Sequence, residues 1–281
     1  MSARGDGMVT AHENGVGASE RDPLLPKPPS RHISHRMRRH LEHDVEKKGA
    51  DLVLLFCYVI TGLLDSSAIS IWGSFVSMQT GNTVYFALGL GSMISGEPVE
   101  TGGFKWARSG LSIASFCLGS FLFSGFHRWF SPTRRWVLCA SFAMQMVCIV
   151  VAAAIVMVGS ARTDAHPLHW TIVLPLALIA FQSSGQAVTS QVLKYNSLTS
   201  VVLTSIYCNL FADQDLFKRH NVERNRRCAA PLCVLVGGIV GGLWAHSSIG
   251  LAGALWTAVV CKAIIVVTWL FWKAESDADG F

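Results

Sequence analysis

An all-α, polytopic membrane fold is predicted by three observations. The 281 residues are 51% hydrophobic and only 15% charged. Several apolar runs reach the ~20 residues a helix needs to cross a bilayer. The polar residues inside those runs gather in two short stretches instead of forming the amphipathic stripes of a soluble helical protein. The expected arrangement is about six full transmembrane helices plus two short interrupted or re-entrant segments, with an inverted 3+3 repeat. Eight full spans is the alternative.

Residues 1–50 hold no apolar run and are read as a disordered, basic, cytosolic tail. No secretory signal is expected there, because the short basic region and adjoining apolar core are absent. Within the tail, Glu20-Arg-Asp-Pro-Leu24-Leu25 fits the acidic dileucine pattern read by sorting adaptors, a short motif that chance also produces. Arg31–Lys48 carries six Lys/Arg and the four histidines His32, His35, His40 and His43. It reads as a juxtamembrane helix on anionic headgroups or as a solvated cytosolic stretch, with no firm metal-ligand pattern.

The first span starts near Asp51 and carries Asp65, ~21 Å further along the helix axis. Its end merges into DSSAISIWGSFVSMQTGN, Asp65 to Asn82, the first polar stretch. A carboxylate at membrane depth points to a pathway, a partner or a proton, and Thr80-Gly81-Asn82 breaks the apolar run that follows. Full spans are expected at about 106–126 and 136–158, separated by the basic loop Arg128–Arg135.

The second half repeats this order. A span from Trp170 to about Val192 contains FQSSGQ, and SLTSVVLTSIYCNLF is a second weakly apolar segment. The charged loop Asp213–Arg227 precedes spans at 229–245 and 249–272, and 273–281 is a short cytosolic tail. Asp65-Ser66-Ser67 corresponds to Gln182-Ser183-Ser184, and Thr80-Gly81 to Thr199-Ser200 after a two-residue gap. Paired interrupted segments of this kind line the site in transporters built from repeats. If each interrupted segment is re-entrant, the tail, both basic loops and Lys273 fall on one side of the membrane, as the positive-inside rule favours.

The run GLLDSSAIS, followed by Gly73 and FVSMQTGNTVYFALGL, resembles the signature of the YoaK-like integral membrane proteins, domain-of-unknown-function family 1275. The resemblance covers roughly residues 51–272 and implies a fungal-type member with an added N-terminal tail and about six spans. The family's second-half pattern, Gly-x-Gln-Asn and Thr-Gly-Thr, is blurred here to FQSSGQ and LTSVV. The family has no established substrate.

The expected function is secondary transport or facilitated passage of an unidentified small solute. The candidate substrate or coupling residues are Asp65, Ser66, Thr80, Gly81, Asn82, Gln182 and Thr199. Lys262, in the middle of the last span, is a candidate ion-pair partner for Asp65. The alternative is a non-transport scaffold or assembly partner. Gly237-Gly238 and Gly241-Gly242 suit close helix contact, within one subunit or in a homo-oligomer.

An enzyme is not expected. HExxH and GxSxG motifs are absent, there is one deep acid where an aspartic protease needs two, and no phosphate-binding loop is present. The eight cysteines lack metal spacing and read as packing residues. No cofactor, metal or nucleic acid is expected, since the basic residues lie in the tail and short loops. The partners are membrane lipid, the solute and a sorting adaptor. The expected location is a vacuolar, endosomal or plasma membrane.

Overall fold

The computed structural model describes residues 38–96, 104–159, 168–195, 198 and 202–274. The Glu20/Leu24/Leu25 motif, His32, His35, Thr199 and Ser200 lie outside these residues. Arg39–Phe281 forms one compact unit. Its helices are α1 (Ala50–Trp72), α2 (Gln79–Ser95), α3 (Lys105–Trp129), α4 (Arg135–Gly159), α5 (Trp170–Val192), α6 (Thr204–Phe211), α7 (Val222–Ala245) and α8 (Leu251–Leu270). All but α2 and α6 are long and apolar enough to cross a membrane, which makes six candidate spans among the described residues.

Hydrogen bonds fix the direction of each span. Val45 N donates to Thr133 O at 3.0 Å, Glu46 N to Lys273 O at 3.1 Å, and Tyr195 Oη to Lys47 O at 2.8 Å. Arg226 is paired with Asp51 at 2.9 Å. The starts of α1, α4 and α7 and the ends of α3, α5 and α8 therefore share one end of the bundle. That basic end gathers Arg128–Arg135, Lys218–Arg227 and Lys273. At the other end Arg108 donates to Trp72 O at 2.7 Å, and Gly159 faces Thr171. The group α1, α3, α4 thus runs opposite to α5, α7, α8, and the halves are inverted.

Neither short helix adds a crossing. After α1, Gly73 turns the chain with φ +69°, the left-handed region where glycine is unstrained. Phe75 then lies at the depth of Ser112, and α2 runs back antiparallel to α3, from Gln79 beside Ser112 to Gly89 against Trp106. In the second half Leu198 is buried with Leu54 and Tyr58 at the basic end. Helix α6 has 8 residues, ~12 Å of helix, well short of a ~30 Å core. The two hairpins enter from opposite ends of the bundle.

Helix pairing follows the same inversion. Helix α1 packs most extensively on α7, α3 on α5, and α4 on α8 and α5. A Cβ on Gly237 would lie 2.0 Å from Val59 O, and one on Gly62 would lie 2.1 Å from Val234 O. Ser67 Oγ donates to Gly241 O at 3.0 Å across the same seam. The Gly237/Gly241 pair is therefore engaged within the subunit. The mirrored α3/α5 seam has Gly119 against Phe181 O and Ser184 Oγ, at 2.5 and 2.3 Å from its would-be Cβ.

Two expectations are corrected. Residues 39–49, expected to be disordered, are ordered against the bundle, and helix stops at Glu42. From His43 the chain is an extended strap, held because the buried Arg135 guanidinium donates to His40 O and, at 2.5 Å, to Trp272 O. Helix α7 begins at Val222 instead of near 229. The Asn221 side chain accepts from Arg224 N at 2.9 Å, and Glu223 occupies the first turn, the two features that start a helix.

The loop before α7 turns on Asp213. Its carboxylate accepts from Asp215 N at 2.9 Å, Asn221 Nδ2 at 3.1 Å and Arg227 at 3.1 Å. These donors, the Asp215 N–H first, hold its pKa below the ordinary carboxylate value. A carboxyl with a depressed folded pKa supports the fold above its unfolded value, ~3.9, and loses that support as the pH falls through the lower folded value. Protection of the 212–221 amides, corrected for intrinsic exchange, is expected to fall below about pH 4. Asp213→Asn should weaken protection at neutral pH and remove the dependence.

Candidate functional site

The two polar groups inside the bundle have different characters. The first is the re-entrant loop between α1 and α2. Asp65 Oδ1 accepts from Val76 N at 2.8 Å and Ser77 N at 2.9 Å, and Oδ2 accepts from Ser77 Oγ. The carboxylate lies just ahead of the N-terminus of α2, where free N–H groups and the helix dipole favour an anion.

Asn82 brackets the other side of the loop. Its Oδ1 accepts from Phe75 N at 3.0 Å and Ser74 Oγ at 3.1 Å, and its Nδ2 donates to Phe75 O at 2.8 Å and Ser112 Oγ at 3.1 Å. Gly81 lies under the Phe75 ring, where a Cβ would approach within 2.8 Å. Backbone groups that bilayer depth would leave unpaired are satisfied by these two side chains.

Of the remaining residues anticipated from sequence, Ser66 bonds its own helix at Leu63 O, 3.3 Å away, and Thr80 is exposed. Gln182 is fully buried, and its Nε2 donates to Ser183 Oγ at 3.2 Å. Its Oε1 has no partner among the described residues, so it does not clamp the second hairpin as Asp65 clamps the first.

The second group centres on Lys262, which is 0% exposed. The ion pair with Asp65 anticipated from sequence is not formed. Lys262 Nζ instead donates to Gln145 Oε1 and Gln186 Oε1, each at 2.5 Å, and lies 5.0 Å from the centre of the Phe142 ring. Asp65 sits further from the basic end, four to eight residues beyond the Thr61 and Cys57 level of this layer, ~6–12 Å of helix, and its oxygens are already taken by the hairpin.

The Lys262 group extends in both directions. Gln186 Nε2 reaches Thr61 Oγ1 at 3.1 Å and Cys57 O at 3.4 Å on α1. Gln145 Nε2 reaches Ser141 Oγ at 3.4 Å, and Ser141 Oγ lies 3.3 Å from His127 Nε2. His127 also lines a crevice of about 350 Å³ at the basic end with Arg128, Val188 and Gln191. Helices α4 and α8 are the third spans of their respective halves, and they pack on each other. Elements equivalent by a two-fold rotation meet only near its axis, so the Gln145–Lys262 contact between these helices marks the pseudo-two-fold axis between the halves.

Residues 53–268 match the family described as "protein of unknown function (DUF1275)". The chain belongs to that family. No curated protein and no solved structure matches it. Within this DUF1275 chain the matched span holds all six crossings apart from their outermost turns, both hairpins and both polar groups.

Gln145, Ser141, Phe142 and His127 were not among the site residues expected from the sequence, and Gln186 was there only as the last residue of FQSSGQ. A single Gln in SFAMQMVCIV was a usable signal, because an amide at mid-span must find a partner. Among the described residues no cluster of three His, Cys, Asp or Glu could hold a metal ion, and all eight cysteines are free.

Proposed function

We propose that the chain is a secondary transporter or facilitator of a small solute, working without covalent chemistry and with its basic end in the cytosol. The observation that carries this reading is the pair of inverted halves, each with a hairpin entering from its own end, meeting at a polar contact on the axis between them. Inverted repeats with interrupted segments are the architecture of alternating access, in which one group of helices rocks against the other around a central site. The Lys262–Gln145–Gln186 layer occupies that place. The Asp65 and Asn82 brackets keep a hairpin rigid enough to move as a unit, and the excess of Lys/Arg at one end sets its orientation.

A solute need not be known to test this. A transporter exposes its axis to each side in turn, whereas a scaffold has no reason to. Thr61→Cys, in a background freed of the eight native cysteines, places one thiol beside Gln186. Impermeant methanethiosulfonates of either charge are expected to modify it from each face of sealed membranes. Protection from both faces would favour the scaffold.

A further inference from the structure

The bonding of Lys262 is compatible with either protonation state. A neutral amine has two N–H donors and an ammonium three. The two Gln oxygens at 2.5 Å take two donors in both forms, and the Phe142 ring, 5.0 Å from Nζ, can face the third through a cation–π contact. No carboxylate pairs with Lys262 among the described residues. The titratable groups that face it are thiols, Cys57 on α1, Cys148 on α4 and Cys261 on its own helix, and α5 contributes only the Gln186 amide. His127 on α3 is joined to it by three hydrogen bonds through Gln145 and Ser141. A cation buried without an acid partner is costly, and water relieves that cost.

Resting on the transport reading above, we propose that Lys262 is a proton-binding switch on the axis of the two halves, taking up one proton as the layer opens to water and releasing it as the layer closes. The ligand is the proton and the acceptor is the Nζ lone pair, so the solute moves with proton linkage. Asp65, the acid first expected to couple, is committed to the hairpin. Lys262 touches both halves, through Gln145 on α4 and through Gln186, which in turn holds Thr61 on α1. A change of charge at one atom is therefore felt by the surfaces that must part. Low pH favours the open form and high pH the closed one.

The test follows the Thr61→Cys thiol across pH in the full-length protein in sealed membranes. Its labelling rate from the basic face is divided by that of Cys228 kept as the sole thiol, an exposed reference near that same face, which corrects for the intrinsic pH dependence of thiols. Reagents of both charges remove any attraction to the lysine. The ratio is expected to rise as pH falls, by up to about tenfold per pH unit, the limit for one proton. Lys262→Met should hold it low and flat, and Lys262→Arg high and flat.

A slope that persists in Lys262→Met, or that is lost only in His127→Gln, overturns the proposal while leaving transport standing. So does labelling in the parent with no slope. No labelling under any condition removes the transport reading itself. Should Lys262→Met fail to fold, Lys262→Arg decides alone, since a slope equal to the parent's rules the switch out.

Discussion

Asp65→Ala is expected to destabilise the protein by about 3–5 kcal/mol, because three buried donors lose their acceptor together and each unsatisfied one costs ~1–3 kcal/mol without full additivity. The donors are Val76 N, Ser77 N and Ser77 Oγ, and bilayer depth offers them little water as a substitute. Asp65→Asn keeps an oxygen for the two N–H groups, and the Ser77 hydroxyl can turn to accept from the new amide. Its loss should be about 1–2 kcal/mol, the difference between a charge-assisted and a neutral hydrogen bond. Thermal unfolding in detergent reads the difference directly. A bracket predicts a clear order, parent above Asn above Ala. If Asn proved as damaging as Ala, the charge itself would be what matters, and Asp65 would return as a candidate coupling group.

This contrast shows why the polar stretch was legible as a place but not as a role. A carboxylate at depth reads the same whether it titrates or caps backbone groups. What separates the two is the turn at Gly73, which returns Val76 and Ser77 to Asp65, and that return is a fact of three dimensions. The spans were legible because apolar length is a one-dimensional property, and inversion followed from where Lys and Arg fall along the chain.

Other features depend on partners the sequence does not display. The strap over the basic end is held largely through backbone carbonyls, among them those of His40, Thr133 and Lys273, so its His-rich sequence resembles a solvated tail. Lys262 stood out as a lone cation. Pairing it with the nearest acid was reasonable chemistry, but two amides nearer its depth left the acid free for the hairpin. The repeat contained part of the missing information, since it makes α4 and α8 equivalent helices and so brings Gln145 and Lys262 to the axis between the halves.

That repeat leads to a prediction at the helix seams. Gly237→Ala is expected to cost about 3 kcal/mol, at the upper end of the range for overpacking. Its Cβ would sit 2.0 Å from Val59 O and 2.9 Å from Leu63 N. Those are backbone atoms of a helix that cannot turn aside, so α1 and α7 must separate. Gly119→Ala should do comparable harm at the mirrored seam, although Ser184 Oγ, its nearest obstacle at 2.3 Å, can rotate where Phe181 O at 2.5 Å cannot.

The neighbours on α7 supply the control. A Cβ on Gly238 meets only Gly62 O at 4.0 Å, and one on Gly242 meets nothing within 4 Å. Ala at either position should be neutral or stabilise by up to ~1 kcal/mol through helix propensity. Thermal midpoints of the four variants in one detergent then read the seams position by position. If Gly237→Ala and Gly238→Ala behaved alike, α7 would not pack on α1 through the face described. Harm from Gly237→Ala without harm from Gly119→Ala would mean the α3/α5 seam is looser than its mirror, and the two halves would then differ in how firmly they resist rocking.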